Sequence, residues 1–469
     1  MASNCQVPTP PQYVIELLDS IGYTQDLYDK SVLENSCGEG NILVEVVKRY
    51  IISSIEEGYS KKDIVLGLEK NIIGYDVDST CVKKCIDNLD NIAREYRLGT
   101  IHWNIFEKDY LKCEASSYDF IIGNPPYITY HDLTEEQRKF IREHYSTCKK
   151  GRFDYCYAFI EAGLRDLSAN GKLAYLIPYS VIRNKYADKV RVLMKEYLKN
   201  IIDYKGIQIF PNTVTSSIAI LCDKEKKDSI NYYNKIEKKQ RVMSKDSFGG
   251  KWIFEEETKG SRRFGDFFKV SNSIATLCNE VFIFEVTDED DTFLYFKNEK
   301  VEKKIAFDAV STKSEKKYQK NKRRDKIIFP YKKIDGNILS YDEEEFRKLF
   351  PECYSYLTRH KDRLMERKSS KGVQWFEYGR VQAINSIFTN KLIMPVVITN
   401  NVYVYEVGTE SVPYAGVYIR TREKSRMGLD EAKKILLSNP FYKYIKKCGT
   451  PTTSSSYRIS VKDIEDYHF

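Results

Sequence analysis

The sequence predicts an α/β chain: an open, mostly parallel sheet with helices on both faces, followed by a second unit of mixed α+β character. Three observations carry that expectation. From about residue 8 to 221, short apolar segments alternate with segments whose apolar residues recur at helical spacing. The first, second and fourth apolar segments run into acidic, amide or glycine residues, as at the carboxyl edge of a sheet that binds a ligand. From about residue 250 the alternation is lost, and strand-like, turn-like and helix-like segments mix irregularly.

Taken in order, SVLEN (31–35), NIIGYDVD (71–78), TIHWNIF (100–106), YDFIIGN (118–124), GKLAYLIP (171–178), NIIDYKGI (200–207) and SSIAILC (216–222) read as buried strands. NILVEVVKRYIISSIEEG, from Asn41, and FDYCYAFIEAGLRDLSANG, from Phe153, read as helices. The second is expected to end at Gly171, since glycine commonly follows a last helical turn. The polar stretch DKEKKDSINYYNKIEKKQRV (223–242) reads as a boundary, which divides the chain into residues 1–225 and 226–469. At 469 residues the chain is long enough for two substantial cores. The most basic run, STKSEKKYQKNKRRDK (311–326), reads as a solvated loop or as a contact for phosphates. No internal repeat or long low-complexity tract is evident.

Composition excludes more than it selects. The 30% of charged residues and the net charge of +8 make an acidic partner plausible without demanding one. Tyrosine is abundant, 36 residues against 3 tryptophans; this suits a surface that meets bases and phosphates, and equally suits an AT-rich coding sequence. Eleven cysteines lie without a Cys-x-x-Cys framework, and the N-terminus carries neither a basic start nor an apolar signal core, so a reduced, cytoplasmic protein is expected. Cys81 and Cys85 are spaced for one helix face but lack a second pair or a nearby histidine, and read as core thiols rather than zinc ligands. No apolar run approaches the roughly 20 residues that span a bilayer.

The strand ends hold the chemistry. The first ends in LENSCGEGN, where Gly38 and Gly40 permit a tight turn and close approach of backbone to a ligand before a helix begins near Asn41. The second ends in GYDVD, which places Asp76 where the ribose hydroxyls of a nucleotide-like ligand would lie. The third is followed by EKDYL, whose Asp109 can accept from an adenine amino group while Tyr110 flanks the ring. The fourth ends in Asn124-Pro125-Pro126-Tyr127. The prolines fix φ and donate no N–H, so the loop is stiff and the Pro125 carbonyl can point away from the sheet. With the Asn124 side chain it makes two neighbouring acceptors. Such a pair suits a group with two N–H donors, such as the exocyclic amine of adenine, and would turn its lone pair from the ring toward an electrophile. Tyr127 adds an aromatic face for a planar base.

In order and residue type these segments resemble the gamma class of adenine-specific DNA amino-methyltransferases. TPPQYVIELL (9–18), headed by Thr9, resembles the motif that helps cover the methionine end of S-adenosylmethionine. VLENSCGEG (32–40) resembles the glycine-rich motif, with Glu34-Asn35-Ser36 where the family more often has Asp-Pro-Ala. GIQIFPNTVTSSIAIL (206–221) resembles the motif whose Phe210 packs against the extruded base, and WFEYGR (375–380) and KLIMPVV (391–397) resemble segments of the recognition domain.

The resemblance implies a Rossmann-like S-adenosylmethionine-dependent methyltransferase domain over residues 1–225 and a DNA target-recognition domain over 226–469. It implies that S-adenosyl-L-methionine is held by Thr9, Glu34, Ser36, Gly38, Gly40, Asp76, Val77, Asp109, Tyr110 and Asn124, with no metal. Asn124, Pro125 and Tyr127 would be catalytic, and Pro126, Tyr127, Phe210, Trp375 and Arg380 would touch substrate. The implied reaction is methyl transfer to the N(6) amine of an adenine flipped out of double-stranded DNA. The implied protein is cytoplasmic and nucleoid-associated, of bacterial or phage type, touches no membrane, and acts as a monomer on DNA within an epigenetic system or beside a cognate restriction endonuclease. Two other readings use the same residues: a methyltransferase acting on a glutamine amide, and a binding module with a decayed site. A fused nuclease is a third, for which Glu257-Thr258-Lys259 has the spacing of a metal-nuclease fragment.

Overall fold

Alternation along the strands sorts the apolar residues of the first unit onto the two faces of one sheet. The computed structural model describes residues 7–210, 216–254, 260–370, 372–381, 384–452 and 455–469. The elements of the first unit are α1 (Pro11–Ser20), β1 (Val32–Glu34), α2 (Asn41–Glu56), α3 (Lys61–Asn71), β2 (Ile72–Asp76), α4 (Ser79–Glu95), β3 (Asn104–Glu107), β4 (Tyr118–Gly123) and α5 (Glu135–His144). They continue with α6 (Cys156–Arg165), β5 (Leu167–Pro178), α7 (Ser180–Arg183), α8 (Asp188–Tyr197), β6 (Leu198–Asp203), β7 (Ser217–Asp223), β8 (Ser229–Asn234) and β9 (Lys239–Ser244). The strands form a nine-stranded sheet in the order β3-β2-β1-β4-β5-β7-β6-β8-β9. Pairing is parallel from β3 to β5, antiparallel about β7, parallel again for β6 with β8, and antiparallel for β8 with β9.

Val32, Ile72, Phe120, Ile122, Ala174, Leu176, Ala219 and Leu221 face α1 to α4, whereas Leu33, Ile73, Ile121, Leu173, Ile177, Ile218 and Ile220 face α6 and α8. This is period two read by two helical layers. All seven expected strands are present, although β3 starts at Asn104 rather than near 100.

The expected helix ending at Gly171 stops six residues earlier, at Arg165. The Tyr118 N–H donates to the Asp166 carbonyl (3.0 Å), and Tyr118 pairs with Leu167 while Phe120 pairs with Lys172, so β5 bulges between its two halves. Gly171 sits in that bulge, where a Cβ would lie 2.6 Å from the Tyr118 carbonyl oxygen. Its role is close approach of two strands, not helix termination.

Compact units divide at Glu255, about thirty residues beyond the expected 225/226: one is Met1–Glu255 with Thr450–Ser455, the other Glu256–Gly449 with Ser456–Phe469. The polar stretch taken for a linker is the β8–β9 hairpin. Its Ile230 and Tyr232 are buried on the sheet, and Phe248, Trp252 and Phe254 complete the same core. Its lysines protect a sheet edge.

The second unit is mixed α+β, as expected. One antiparallel sheet joins Phe268–Asn272, Val417–Thr421, Lys391–Met394 and Tyr405–Val407; a mixed sheet joins Ile283–Phe284, Lys326–Ile328, Ala306–Val310 and, parallel to the last, Ser411–Pro413. The basic run 311–326 is not a loop: Thr312–Asn321 is a helix, opened by a Ser311–Ser314 capping box. Several of its cations are already paired, Arg324 with Glu315 and Asp308, Lys317 with Glu285 and Asp325, and Lys326 with Asp308. No helix among the described residues is long and apolar enough to cross a membrane.

A fragment ending after Asp223 exposes the β6 edge and removes part of the core, whereas one ending after Phe254 retains both. The longer fragment is expected to resist trypsin and unfold cooperatively, and the shorter to be cut rapidly. Equal resistance of the two would refute the assignment of β8 and β9 to this core.

Candidate functional site

Parallel pairing of β1 with β2 and with β4 sets Leu33 beside Ile73 and Ile121, so these strands end along one edge at Glu34, Asp76 and Gly123. The order β2-β1-β4 reverses the direction of winding between β1 and β4, which opens a crevice at the carboxyl ends.

The turn after β1 is built by backbone and one carboxylate. Cys37 N–H donates to the Tyr75 carbonyl (2.9 Å), and Asp76 accepts from Gly38 N–H through Oδ2 (2.9 Å) and from Asp78 N–H through Oδ1 (2.9 Å). Gly38 and Gly40 both have left-handed φ, +52° and +83°. They differ in purpose. A Cβ at Gly40 would lie 2.6 Å from the Cys85 sulfur, so this glycine lets α2 approach α4, whereas a Cβ at Gly38 would meet no atom within 4 Å. Gly38 therefore faces open space, room for a ligand against bare backbone. Cys81 and Cys85 are buried on α4, the place expected of core thiols.

Glu34 is buried; burial pushes its carboxyl well above the usual range, the nearby Cys37 and Asp76 push it further, and the Leu43 backbone N–H opposes them. Its Oε2 has no hydrogen-bond partner. Val77, one residue past β2, is 59% exposed, an apolar side chain left to water at the rim. Asp109 accepts from the Leu111 N–H (3.1 Å); burial raises its carboxyl, opposed by that bond and by Lys112. Thr9 is buried just ahead of α1.

Past β4, the Ser36 hydroxyl donates to the Asn124 backbone carbonyl (3.4 Å). Among the described residues the buried Asn124 side-chain Oδ1 has no hydrogen-bond partner, and the same holds for Asn35 Oδ1. The Asn35 Nδ2 donates to the Tyr175 hydroxyl. Pro125 is buried and Pro126 half-buried. Tyr127 packs edge-on to Phe210, ring centroids 6.4 Å apart at 80°, so the two aromatics expected to share a base are neighbours. Burial raises the Tyr127 phenol well above its ordinary range; Ser217 lies close enough to oppose this, although neither hydroxyl forms a hydrogen bond of good geometry.

One expectation places differently. Tyr110 does not line the crevice: it is 3% exposed, and its hydroxyl donates to the buried Asp166 (2.7 Å), which also accepts from Arg165. The aromatic ring was drawn into the core because Asp166 needed a donor. Trp375 and Arg380 belong to the second unit. Trp375 donates to Glu343 (2.8 Å) with Lys361 over its ring, and the Arg380 backbone bridges Ala275 while its side chain is exposed. KLIMPVV contributes the buried strand Lys391–Met394, whose Lys391 ammonium donates to the Thr389 and Gly408 carbonyls; burial lowers it to about 8. The triplet Glu257-Thr258-Lys259 lies outside the described residues, and among those described no group of His, Cys, Asp or Glu is arranged to hold a metal.

Two residues escaped the sequence reading. Tyr175 reaches Asn35 from β5, and Asp154 pairs with Thr129 in an antiparallel bridge beside the Asn124–Tyr127 loop. Neither carries a local signal, because each sits in an apolar run that reads only as strand or helix.

Residues 42–210 match the family described as Eco57I restriction-modification methylase. This bears out the resemblance read from the sequence, and with it the fold class and S-adenosyl-L-methionine as cofactor. The chain is 24% identical over 365 residues to the type II restriction enzyme and methyltransferase RM.Eco57I of Escherichia coli, covering 69% of this chain and 36% of that protein. It is 29% identical over 236 residues to the type II methyltransferase M.BstVI of Geobacillus stearothermophilus, covering 47% and 42%. The chain thus spans about two fifths of these relatives. In fold it is similar to the type IIL restriction-modification enzyme MmeI solved in complex with DNA, with a TM-score of 0.62 at 12% identity, over 97% of this chain and 63% of that one.

Burial pushes the Asp154 carboxyl up to about 6, against the hydrogen bonds it accepts from Cys156. The folded protein therefore holds this proton more tightly than the unfolded chain, where an aspartate titrates near about 3.9. Stability from this group is full below about pH 4 and is lost as pH rises through about 6, by at most about 3 kcal/mol since the residue keeps some contact with water. Asp154→Asn is expected to flatten this decline. Urea unfolding of both proteins at steps across that window is the check, and identical pH profiles would count against it.

Proposed function

We propose that the chain is a site-specific DNA adenine methyltransferase, which transfers a methyl group from S-adenosyl-L-methionine to the N(6) amine of an adenine flipped out of double-stranded DNA. The observation that carries the reading is Asn124 Oδ1, a buried acceptor at the sheet edge with no donor among the described residues. Such an atom costs about 1–3 kcal/mol unless something bonds to it, and an amine N–H would supply the missing donor.

The residues present fit the cofactor. Asp76, fixed by two backbone N–H groups, keeps free lone pairs for ribose hydroxyls; Asp109 can accept from the adenine amino group; Val77 offers an apolar rim; and Gly38 leaves room against bare backbone. Thr9, Glu34, Ser36 and Gly40 would lie around the cofactor, while the buried Tyr110 would act only from behind it. Bound there, S-adenosyl-L-methionine supplies a methyl group already activated by a positive sulfur.

The work left to the chain is orientation. Asn124 Oδ1 and the Pro125 carbonyl accept the two amine hydrogens, which turns the nitrogen lone pair out of the ring and toward the methyl donor. Pro126 stiffens the loop, and Tyr127 with Phe210 gives the extruded base aromatic contacts in place of those lost from the duplex, where unstacking costs a few kcal/mol. No strong base is required, because most of the acceleration comes from positioning. Trp375 and Arg380, in the unit proposed as target-recognition domain, would touch DNA rather than the reacting atoms. Relatives named as restriction-modification enzymes favour DNA over a glutamine side chain as substrate. They also favour work within such a system. A cognate restriction endonuclease as partner and action as a monomer in the cytoplasm belong to the same proposal.

Asn124→Ala is expected to slow methyl transfer to DNA by roughly a hundred- to a thousandfold while cofactor affinity changes less than about threefold. Single-turnover transfer of labelled methyl, with cofactor titration of the same preparation, reads both. Transfer at the wild-type rate would remove Asn124 as the orienting group.

Asp76→Ala is expected to weaken cofactor binding by about 1.5–3 kcal/mol, because it removes the ribose acceptor and the anchor of the Gly38 turn together. Calorimetry with unchanged affinity would take Asp76 out of the site.

A further inference from the structure

Just past Tyr127 the chain is tied to a second loop. The Tyr155 N–H donates to the Ile128 carbonyl (2.9 Å), and Thr129 bridges Asp154. The residues leading into that bridge are Lys149-Lys150-Gly151-Arg152, all exposed. Their path is built rather than loose. Gly151 has φ +81°, and a Cβ there would lie 2.4 Å from Cδ1 of Tyr186, so the tyrosine ring seats against a position open only to glycine. The Arg142 guanidinium donates to the Tyr130 hydroxyl (2.8 Å) and to the Gly151 carbonyl (3.3 Å), which links the basic loop to the segment that follows Tyr127. Lys185, next to Tyr186, is exposed as well.

Nearby carboxylates are already engaged. Glu161 accepts from the Ser146 and Thr147 N–H groups, Asp132 from the Thr129 hydroxyl, and Asp188 from the buried Arg191. Lys149, Lys150, Arg152 and Lys185 make no ion pair among the described residues, unlike Lys317, Arg324 and Lys326 of the run 311–326. A charge run is ordinarily a solvated face. Here, however, unneutralised cations are held in place beside the loop that would receive the base.

We infer that Lys149, Lys150 and Arg152, with Lys185, form a phosphate clamp that grips the sugar-phosphate backbone of duplex DNA flanking the extruded nucleotide. The inference rests on the DNA methyltransferase reading above and assigns to the catalytic unit a contact with the backbone that carries no sequence preference. Phosphate contacts position the duplex and release counterions, so their number is read from the salt dependence of binding.

The test uses the full chain with cofactor and a labelled duplex of mixed sequence, with affinity followed by anisotropy across a sodium chloride series. In the Lys149→Gln, Lys150→Gln, Arg152→Gln triple variant the slope of log affinity against log salt is expected to fall by about 2 to 3. The KM for DNA rises while kcat stays within about twofold, and cofactor affinity is unchanged. Lys149→Arg with Lys150→Arg keeps the wild-type slope. Should the triple variant fail to fold, Lys150→Gln alone decides, with an expected drop of about 1. A wild type that methylates DNA and shares its salt slope with these neutral variants overturns the clamp alone. A wild type that neither binds nor methylates duplex DNA overturns the methyltransferase reading and the clamp with it.

Discussion

The parallel pairing of β1 with β2 on one side and β4 on the other is the constraint on which the site depends. β1 is only three residues long and wholly buried, so it has no freedom to shift register without turning apolar side chains toward the wrong layer. Because its two neighbours run in the same direction, three separate pieces of chain end at one edge. Glu34, Asp76 and Asn124, spread over ninety positions, are thereby neighbours of a single crevice. The turn that closes the crevice is secured from β2: the Tyr75 carbonyl and both Asp76 carboxylate oxygens accept backbone N–H groups, those of Cys37, Gly38 and Asp78.

Polar groups at this edge fall into two kinds. Those that shape the backbone are satisfied, as in Asp76 and the Asn35 amide nitrogen. Others are not: among the described residues Glu34 Oε2, Asn35 Oδ1 and Asn124 Oδ1 are buried without hydrogen-bond partners. Each is a local cost to folding of about 1–3 kcal/mol, and a cluster of them is what a site preorganised for donor-bearing ligands requires. Elsewhere in the same unit the buried Asp166 accepts from both Tyr110 and Arg165.

The basic excess of the chain is distributed by the same logic. The densest run of lysine and arginine, 311–326, folds into a helix and neighbouring strand in which Lys317, Arg324 and Lys326 are paired with Glu285, Asp325, Glu315 and Asp308. The shorter cluster at 149–152 contributes far less to the net charge but leaves its cations unneutralised, on a loop whose course is held by Arg142 and Tyr186. Charge available to a partner is decided by what surrounds each cation, not by its density along the chain.

Strand cores, the two glycines of the first turn and the stiff Asn124–Tyr127 loop were legible from sequence because their causes are local: period-two burial, left-handed φ, and the fixed φ and missing donor of proline. The order of those motifs also pointed to the sheet edge where they meet. What sequence misplaced depended on partners far along the chain. Gly171 resembled a helix end, yet the Tyr118 backbone pulls it into a strand bulge; Tyr110 resembled a wall of the pocket, yet Asp166 draws it inward. Residues 223–242 resembled a linker, yet β6 accepts them as a hairpin that hides Ile230 and Tyr232. Each of these outcomes rests on a hydrogen bond or a buried face supplied by a residue distant in sequence, and such a pairing leaves no mark in the composition or spacing of either segment by itself.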